Sequence, residues 1–334
     1  MTLWTATYLT FFLSLPNFSP IYSKLRSHFF QSKTLEALKS SLTQLRLIKE
    51  SLESGLVPDR EDWNRVASLP EPWGTLFFSS LSELRNQGAP ILPSLERMIL
   101  SLEEERELNL EAKTKSSQAF GQVMISVLLV PVFGAVLYAL LPGLDSFKGL
   151  FLSLMCVCVL LGFLAFFWML QMMESARFGQ VSRSRRPWIL SSKIFFERMI
   201  ADIAGGHPPD LAWSRAMESL REQEPELLQY WGVQIWEKIG SKKNSLNNGV
   251  EESIVQFGNE IRRSIQQSLV EGRGCMDRLD SIYRNFLFDL KMKISRELQV
   301  LPNQCLKPLF ILVLPSVMLL LFGSLALSLG ELIK

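Results

Sequence analysis

The sequence predicts an all-α membrane protein with two helical-bundle cytoplasmic units, each leading into a transmembrane helix, and three or four spans in total. Three observations predict it. Three long stretches carry no charged side chain. The polar regions around them place apolar residues at helical spacing, and no strand-like alternation of useful length interrupts that pattern. A length of 334 residues gives room for about two domains.

The charge-free stretches are Ser116–Leu144, Gly149–Met173 and Pro308–Gly330. Each exceeds the roughly 20 residues that a helix needs to cross about 30 Å of hydrocarbon. Burial in a large soluble core is the bland alternative, and three such runs in one short chain count against it. Residues 1–23 also lack charge, but Leu3–Leu15 is a short apolar core and is interrupted on its C-terminal side by Pro16 and Pro20. This segment reads as a marginal fourth span, with an interfacial segment as the alternative. A cleaved signal peptide is disfavoured, since a basic n-region and a small-residue cleavage pattern are both missing.

Residues 24–115 are expected to form a first cytoplasmic helical unit, 116–144 a transmembrane helix and 145–148 a short external link. Residues 149–173 form a second transmembrane helix, 174–307 a second cytoplasmic helical unit and 308–330 a third transmembrane helix. Orientation rests on the basic residues: Tyr22–Lys115 holds 13 Lys+Arg, Glu174–Lys307 holds 20, and Pro142–Lys148 holds one. Both polar regions are therefore expected in the cytoplasm. Arg183, Arg185 and Arg186, just after the second span, fit as a topology signal, with binding to anionic lipid heads as the alternative.

The chain aligns with itself. Gly55, Pro58 and Trp63 coincide with Gly205, Pro208 and Trp213 at an offset of 150; Gly88, Leu95 and Pro131 coincide with Gly272, Leu279 and Pro315 at an offset of 184. The 34-residue difference between the offsets is an insertion in the second half, part of it the polar stretch Gly240–Gly249. Ser41–Glu53 and Ile194–Ile203 read as helices that end at Gly55 and Gly205 in the left-handed conformation. Pro58 and Pro208 suit the first turn of the next helix, and Trp63 and Trp213 pack back on its predecessor. A plain αα-hairpin turn explains all of these residues without chemistry. Between Pro93 and Gly121, and again over Cys275–Val300, a charged helix free of Gly and Pro runs toward a span. The acidic run Glu103, Glu104, Glu105, Glu107 reads as a solvated face supported by pairs four apart, or as a docking edge for a basic partner.

Composition excludes several classes. With 35 Lys+Arg against 33 Asp+Glu there is no cationic excess for nucleic acid. Four cysteines and two histidines, without Cys/His spacing, support neither a disulfide framework nor a zinc module. Gly240–Ser245 fails the phosphate-loop spacing, and Gly272-Arg273-Gly274 is no dinucleotide fingerprint. Cys156 and Cys158 point about 200° apart on one helix and read as small apolar fillers. Catalytic, cofactor and metal residues are therefore expected to be none. The spans hold no ionisable group, which weakens a transporter reading, and Ser126, Ser153 and Ser316 have no accompanying base for an intramembrane enzyme.

Taken in order, these features resemble the type II secretion F family, the inner-membrane platform proteins of type II secretion, type IV pilus and tight-adherence (Tad) systems. The resemblance is best over Glu271–Leu279, a glycine-then-Leu helix start, and over Leu306–Pro315, a lysine-led closing span that contains proline. The first half matches more loosely through Gly55 and Asn86–Leu95. Similarity covers roughly residues 35–330. The first unit is short and only Glu331–Lys334 come after the last span, which leaves the branch open. The resemblance implies a non-enzymatic, multi-pass protein of the bacterial inner membrane that couples a cytoplasmic hexameric secretion ATPase to pilin or pseudopilin assembly alongside other inner-membrane machine components. Self-association is expected, because two small bundles offer little area to grip a hexamer. Candidate partner contacts are Glu103, Glu104, Glu105, Glu107, Arg183, Arg185 and Arg186. The competing class is a small polytopic transporter or channel component.

Overall fold

The computed structural model describes residues 19–56, 59–67, 73–86, 88, 90–141, 144–232, 234–236, 249–272 and 274–332. Among these residues the regular structure is all helical. Residues 1–18, most of the expected marginal span, lie outside the described residues, as do Pro58, Pro142 and residues 237–248 of the expected loop.

The first apolar cluster forms where α1 (Ser19–Glu53) lies on the start of α4 (Leu92–Leu140). Leu38, Leu42, Leu45 and Ile48 recur every three or four residues, which puts them on one helix face. They are buried with Leu95, Met98 and Leu102 of α4, Trp63 of α2 (Arg60–Ala67), and Phe77, Leu81 and Leu84 of α3 (Trp73–Asn86).

The second cluster gathers α6 (Pro187–Ala204), α7 (Pro209–Gln223), α8 (Pro225–Trp231), α9 (Gly249–Glu271) and α10 (Met276–Pro308). Its centre is aromatic: Phe196 stacks on Tyr283 at 4.3 Å and Phe257 on Phe286 at 4.0 Å. Trp231 sits directly on the backbone of Gly258, and its indole N–H donates to the Ile254 carbonyl at 3.1 Å. The two clusters meet along α6. Trp188, Phe195 and Met199 face the second cluster, while Leu190, Ile194 and Ala201 pack on the first. A helix apolar on two faces is stable only when covered on both, so α6 ties the two polar regions into one packed body.

Three helices are long and apolar enough to cross a membrane: α4, α5 (Lys148–Arg177), and the continuous run Met276–Gly330 formed by α10, a wider π-type turn at Leu309–Val313, and α11 (Leu314–Leu332). The wider turn ends two residues before Pro315, which has no N–H to return to the Ile311 carbonyl. Within their most apolar windows only 12%, 22% and 22% of the residues are buried. Leu128, Leu160 and Phe322 are among many side chains turned outward. An apolar belt of that extent is unfavourable in water and expected in lipid, and the chain is a membrane protein by that criterion.

Small residues set the packing between the spans, as expected where lipid removes the hydrophobic drive for helix association. Gly162 lies beside Val127 and Gly134 beside Met155, so α4 and α5 run antiparallel. A Cβ on Gly323 would stand 2.5 Å from Leu154 of α5. Cys158 is fully buried with its Sγ 3.2 Å from the Ser316 carbonyl, in keeping with a filler role. The polar parts of α4 and α10 leave the bundle at the same end, where they lie side by side.

One expected helix end is corrected. Gly205 is right-handed, with φ −73°, and continues the last turn of α6. The left-handed residue is Gly206, with φ +90°, whose N–H bonds to Ile203 O while His207 N–H bonds to Asp202 O. The matching end of α1 has Gly55 at φ +79° with the same pair of bonds. Consequently Pro208 precedes α7, and Pro209 occupies its first turn.

Candidate functional site

Ser94, Arg97 and Ser101 are three and four residues apart, so α4 presents them on one face. α6 brings Glu197 opposite, and α10 brings Asp280 and Tyr283 from the third side. Arg97 donates to Asp280 Oδ1 at 3.1 Å and to Ser94 Oγ at 3.0 Å, and its Nε stands 3.5 Å from Glu197 Oε1. Ser94 Oγ donates to Glu197 Oε2 at 3.2 Å. Arg97 and Glu197 are 5% and 2% exposed. Burial holds the Glu197 carboxyl above the usual carboxylate range, opposed by the Arg97 charge and the Ser94 hydrogen bond. A single guanidinium thus pins three helices, and removal of either charge would strand the other away from water.

Toward the membrane this junction continues as a row of pairs between helices. Arg46 of α1 binds Glu103, and level with the junction itself Lys49 binds Glu96 at 2.9 Å. Lys193 of α6 is 3.8 Å from Glu105. Lys291 donates to Glu107, and Ser295 Oγ donates to Glu111 at 2.8 Å. The acidic run is therefore engaged with cations on other helices rather than supported mainly by partners four residues away. Glu103 and Glu107 remain well exposed, with side chains 36% and 62% accessible.

The basic run after α5 also divides. Arg185 binds Glu226 at 2.7 Å and the buried Glu251 at 2.8 Å, and Glu251 in turn accepts the Ser182 N–H at 3.2 Å. Arg186 binds Glu174 at 2.8 Å over the ring of Phe178. Arg183 is exposed.

The paired positions found in the sequence occupy structural places. Trp63 and Trp213 are buried, the latter edge-on against Phe195 of α6 at 5.1 Å. Gly88 and Gly272 have φ +68° and +65°. Leu95 and Leu279 are fully buried and open α4 and α10. Pro131 and Pro315 lie inside membrane helices. The junction of Arg97, Glu197 and Asp280 was not anticipated; its one signal is that Ser94 and Arg97 share the face of Met98 and Leu102. Among the described residues no group of three or more His, Cys, Asp or Glu is placed to hold a metal ion.

The chain matches no family model, no curated protein and no solved structure.

Proposed function

We propose that the chain is an inner-membrane platform protein of a type II secretion, type IV pilus or Tad-type machine, coupling a cytoplasmic secretion ATPase to pilin or pseudopilin assembly. The observation that carries this reading is the continuity of α4 and of Met276–Gly330 from polar region into apolar span. At 49 and 55 residues they are rods of about 70–80 Å, and the Arg97 junction braces them. Displacement applied to the polar end of such braced rods is carried into the bilayer. Duplication of the chain belongs to the proposal. It is supported by equivalent bonds that open the two rods: Leu95 N–H to Ile91 O at 3.0 Å and Leu279 N–H to Cys275 O at 2.9 Å.

In this reading both polar regions face the cytoplasm and the ATPase contacts them there, with Arg183, Glu103 and Glu107 among the accessible charges. The membrane helices favour this over transport, because their charge-free stretches hold no Asp, Glu, Lys, Arg or His, and the buried Ser316 and Ser324 bond within their own helix, to Leu312 O and Leu321 O. The test is affinity purification of the full chain from native membranes. Recovery of a secretion ATPase and pilin-like subunits supports the proposal. Their absence, together with solute flux in proteoliposomes, assigns the chain to transport.

A further inference from the structure

At the end of the span bundle where the polar regions begin, α4, α5, α6 and α10 line a half-open cavity of about 280 Å³, just below the range of ordinary ligand pockets. Leu108, Ile189 and Leu290 give it an apolar wall, and Arg177, Arg186 and Lys193 give it a cationic one. Glu104 and Glu105 complete the charged lining; Glu105 stands 3.8 Å from Lys193, and the Lys193 charge also reaches Glu104.

Two of the cationic groups are under-used. Arg177, the last residue of α5, is partly buried and makes no hydrogen bond; it feels the charge of Glu174, whose carboxylate is already bonded to Arg186, and it is repelled by Arg186 itself. The Nε of Arg186 is shut off from solvent and has no partner, its Nη1 alone being engaged by Glu174. A withdrawn guanidinium donor without an acceptor is costly, as is the closeness of two like charges, and an anion reaching both arginines would offset these costs. Arginine forks match phosphate oxygens particularly well.

Position selects the kind of anion. Arg177 is one turn beyond Met173, where the charge-free stretch of α5 ends, and Ala112, which also lines the cavity, is one turn before Ser116 on α4. One turn is about 5 Å, which lies within the headgroup layer flanking the hydrocarbon. We propose that this cavity binds a phosphate-bearing ligand through Arg177 and Arg186, with the ligand's neutral portion against Leu108 and Ile189. Its level in the bilayer fits the headgroup of an anionic phospholipid; a soluble organophosphate offers the same chemistry. The proposal is independent of the machine to which the chain belongs.

The test uses the full chain, delipidated in neutral detergent, and thermal unfolding with three probes: dihexanoyl-phosphatidylglycerol, dihexanoyl-phosphatidylcholine and glycerol 3-phosphate. Phosphatidylglycerol at saturating concentration should raise the Tm of the wild type by about 3 °C or more, and phosphatidylcholine should not. Arg177→Gln should lose that increment while matching or exceeding the wild-type Tm without lipid, because burial and repulsion by Arg186 together outweigh the attraction of Glu174 for the Arg177 charge. Arg177→Lys should keep part of the increment, and remains readable if Arg177→Gln does not fold. Arg198→Gln, at an exposed arginine that donates to Ser219, should keep all of it. A full increment from glycerol 3-phosphate alone assigns the site to soluble organophosphates, whereas a requirement for phosphatidylglycerol assigns it to lipid. An increment equal in wild type, Arg177→Gln and Arg177→Lys, or no increment in the wild type with any probe, overturns the proposal.

Discussion

Lys291 donates a hydrogen bond to Glu107, and the two residues are 184 positions apart, the same separation that relates Leu95 to Leu279. Ser295 and Glu111 repeat that separation one turn further along. Residues at matching places in the two halves therefore touch, which means that α4 and α10 lie parallel and in register. This contact is the outer part of a brace whose inner part is the Arg97 junction.

The outer and inner parts of the brace differ in weight. Lys291→Ala breaks a largely exposed pair and should cost under about 1 kcal/mol. Arg97→Leu leaves Glu197 buried without its cation and should cost about 3–5 kcal/mol. Unfolding of both variants in the same detergent compares them; equal losses would mean that the junction is not the stronger brace.

A double-mutant cycle isolates the junction. Arg97→Leu/Glu197→Leu removes both charges, and a buried pair replaced by apolar groups is often tolerated. The double variant is expected to be more stable than Arg97→Leu alone. Additive losses in the cycle would show that the two groups are not coupled.

Titration offers an independent view of Glu197. Its carboxyl is raised in the folded state by burial, so the folded chain holds this proton more tightly than the unfolded chain. The contribution is fully present below the ordinary glutamate pKa of about 4.3 and is lost as pH rises through the elevated folded value. Relative to Glu197→Gln, the wild type should lose stability as pH increases over that window. A difference that stays flat, or grows with pH, contradicts the burial of this carboxyl.

Gly258 tests the aromatic cluster. A Cβ there would stand 2.2 Å from the Trp231 ring, whereas one at Gly206 would meet nothing within 4 Å and carry only backbone strain. Gly258→Ala should destabilise by about 1–3 kcal/mol through overpacking, and Trp231→Ala in the same chain should relieve part of the clash. Thermal unfolding of the three variants decides it, and a neutral Gly258→Ala would contradict the packing described.

The spans were legible because a helix in lipid needs an unbroken apolar stretch, and Ser116–Leu144, Gly149–Met173 and Pro308–Gly330 have no other plausible use. The helix end at Gly55 was legible because left-handed residues favour glycine. The choice of Gly206 over Gly205 was not, since adjacent glycines offer the same freedom and only the closing hydrogen bonds separate them. The junction was hidden for a different reason. Arg97, Glu197 and Asp280 each sit in an amphipathic helix and resemble surface charges; their burial depends on α6 being packed across α4 and α10. Arg185 was hidden in the same way, as a topology signal whose partner Glu251 is 66 residues distant.

The most direct measurement is cysteine accessibility in intact cells and inverted membrane vesicles, in a background lacking the four native cysteines. Asp59→Cys and Asp210→Cys report the two polar regions, and Ser146→Cys reports the turn between α4 and α5; all three positions are exposed. The prediction is that the Asp59→Cys and Asp210→Cys variants react with a membrane-impermeant maleimide only in inverted vesicles, and the Ser146→Cys variant only in intact cells. Labelling of the Asp59→Cys and Asp210→Cys variants from opposite sides would contradict the parallel, braced rods on which the proposed function rests.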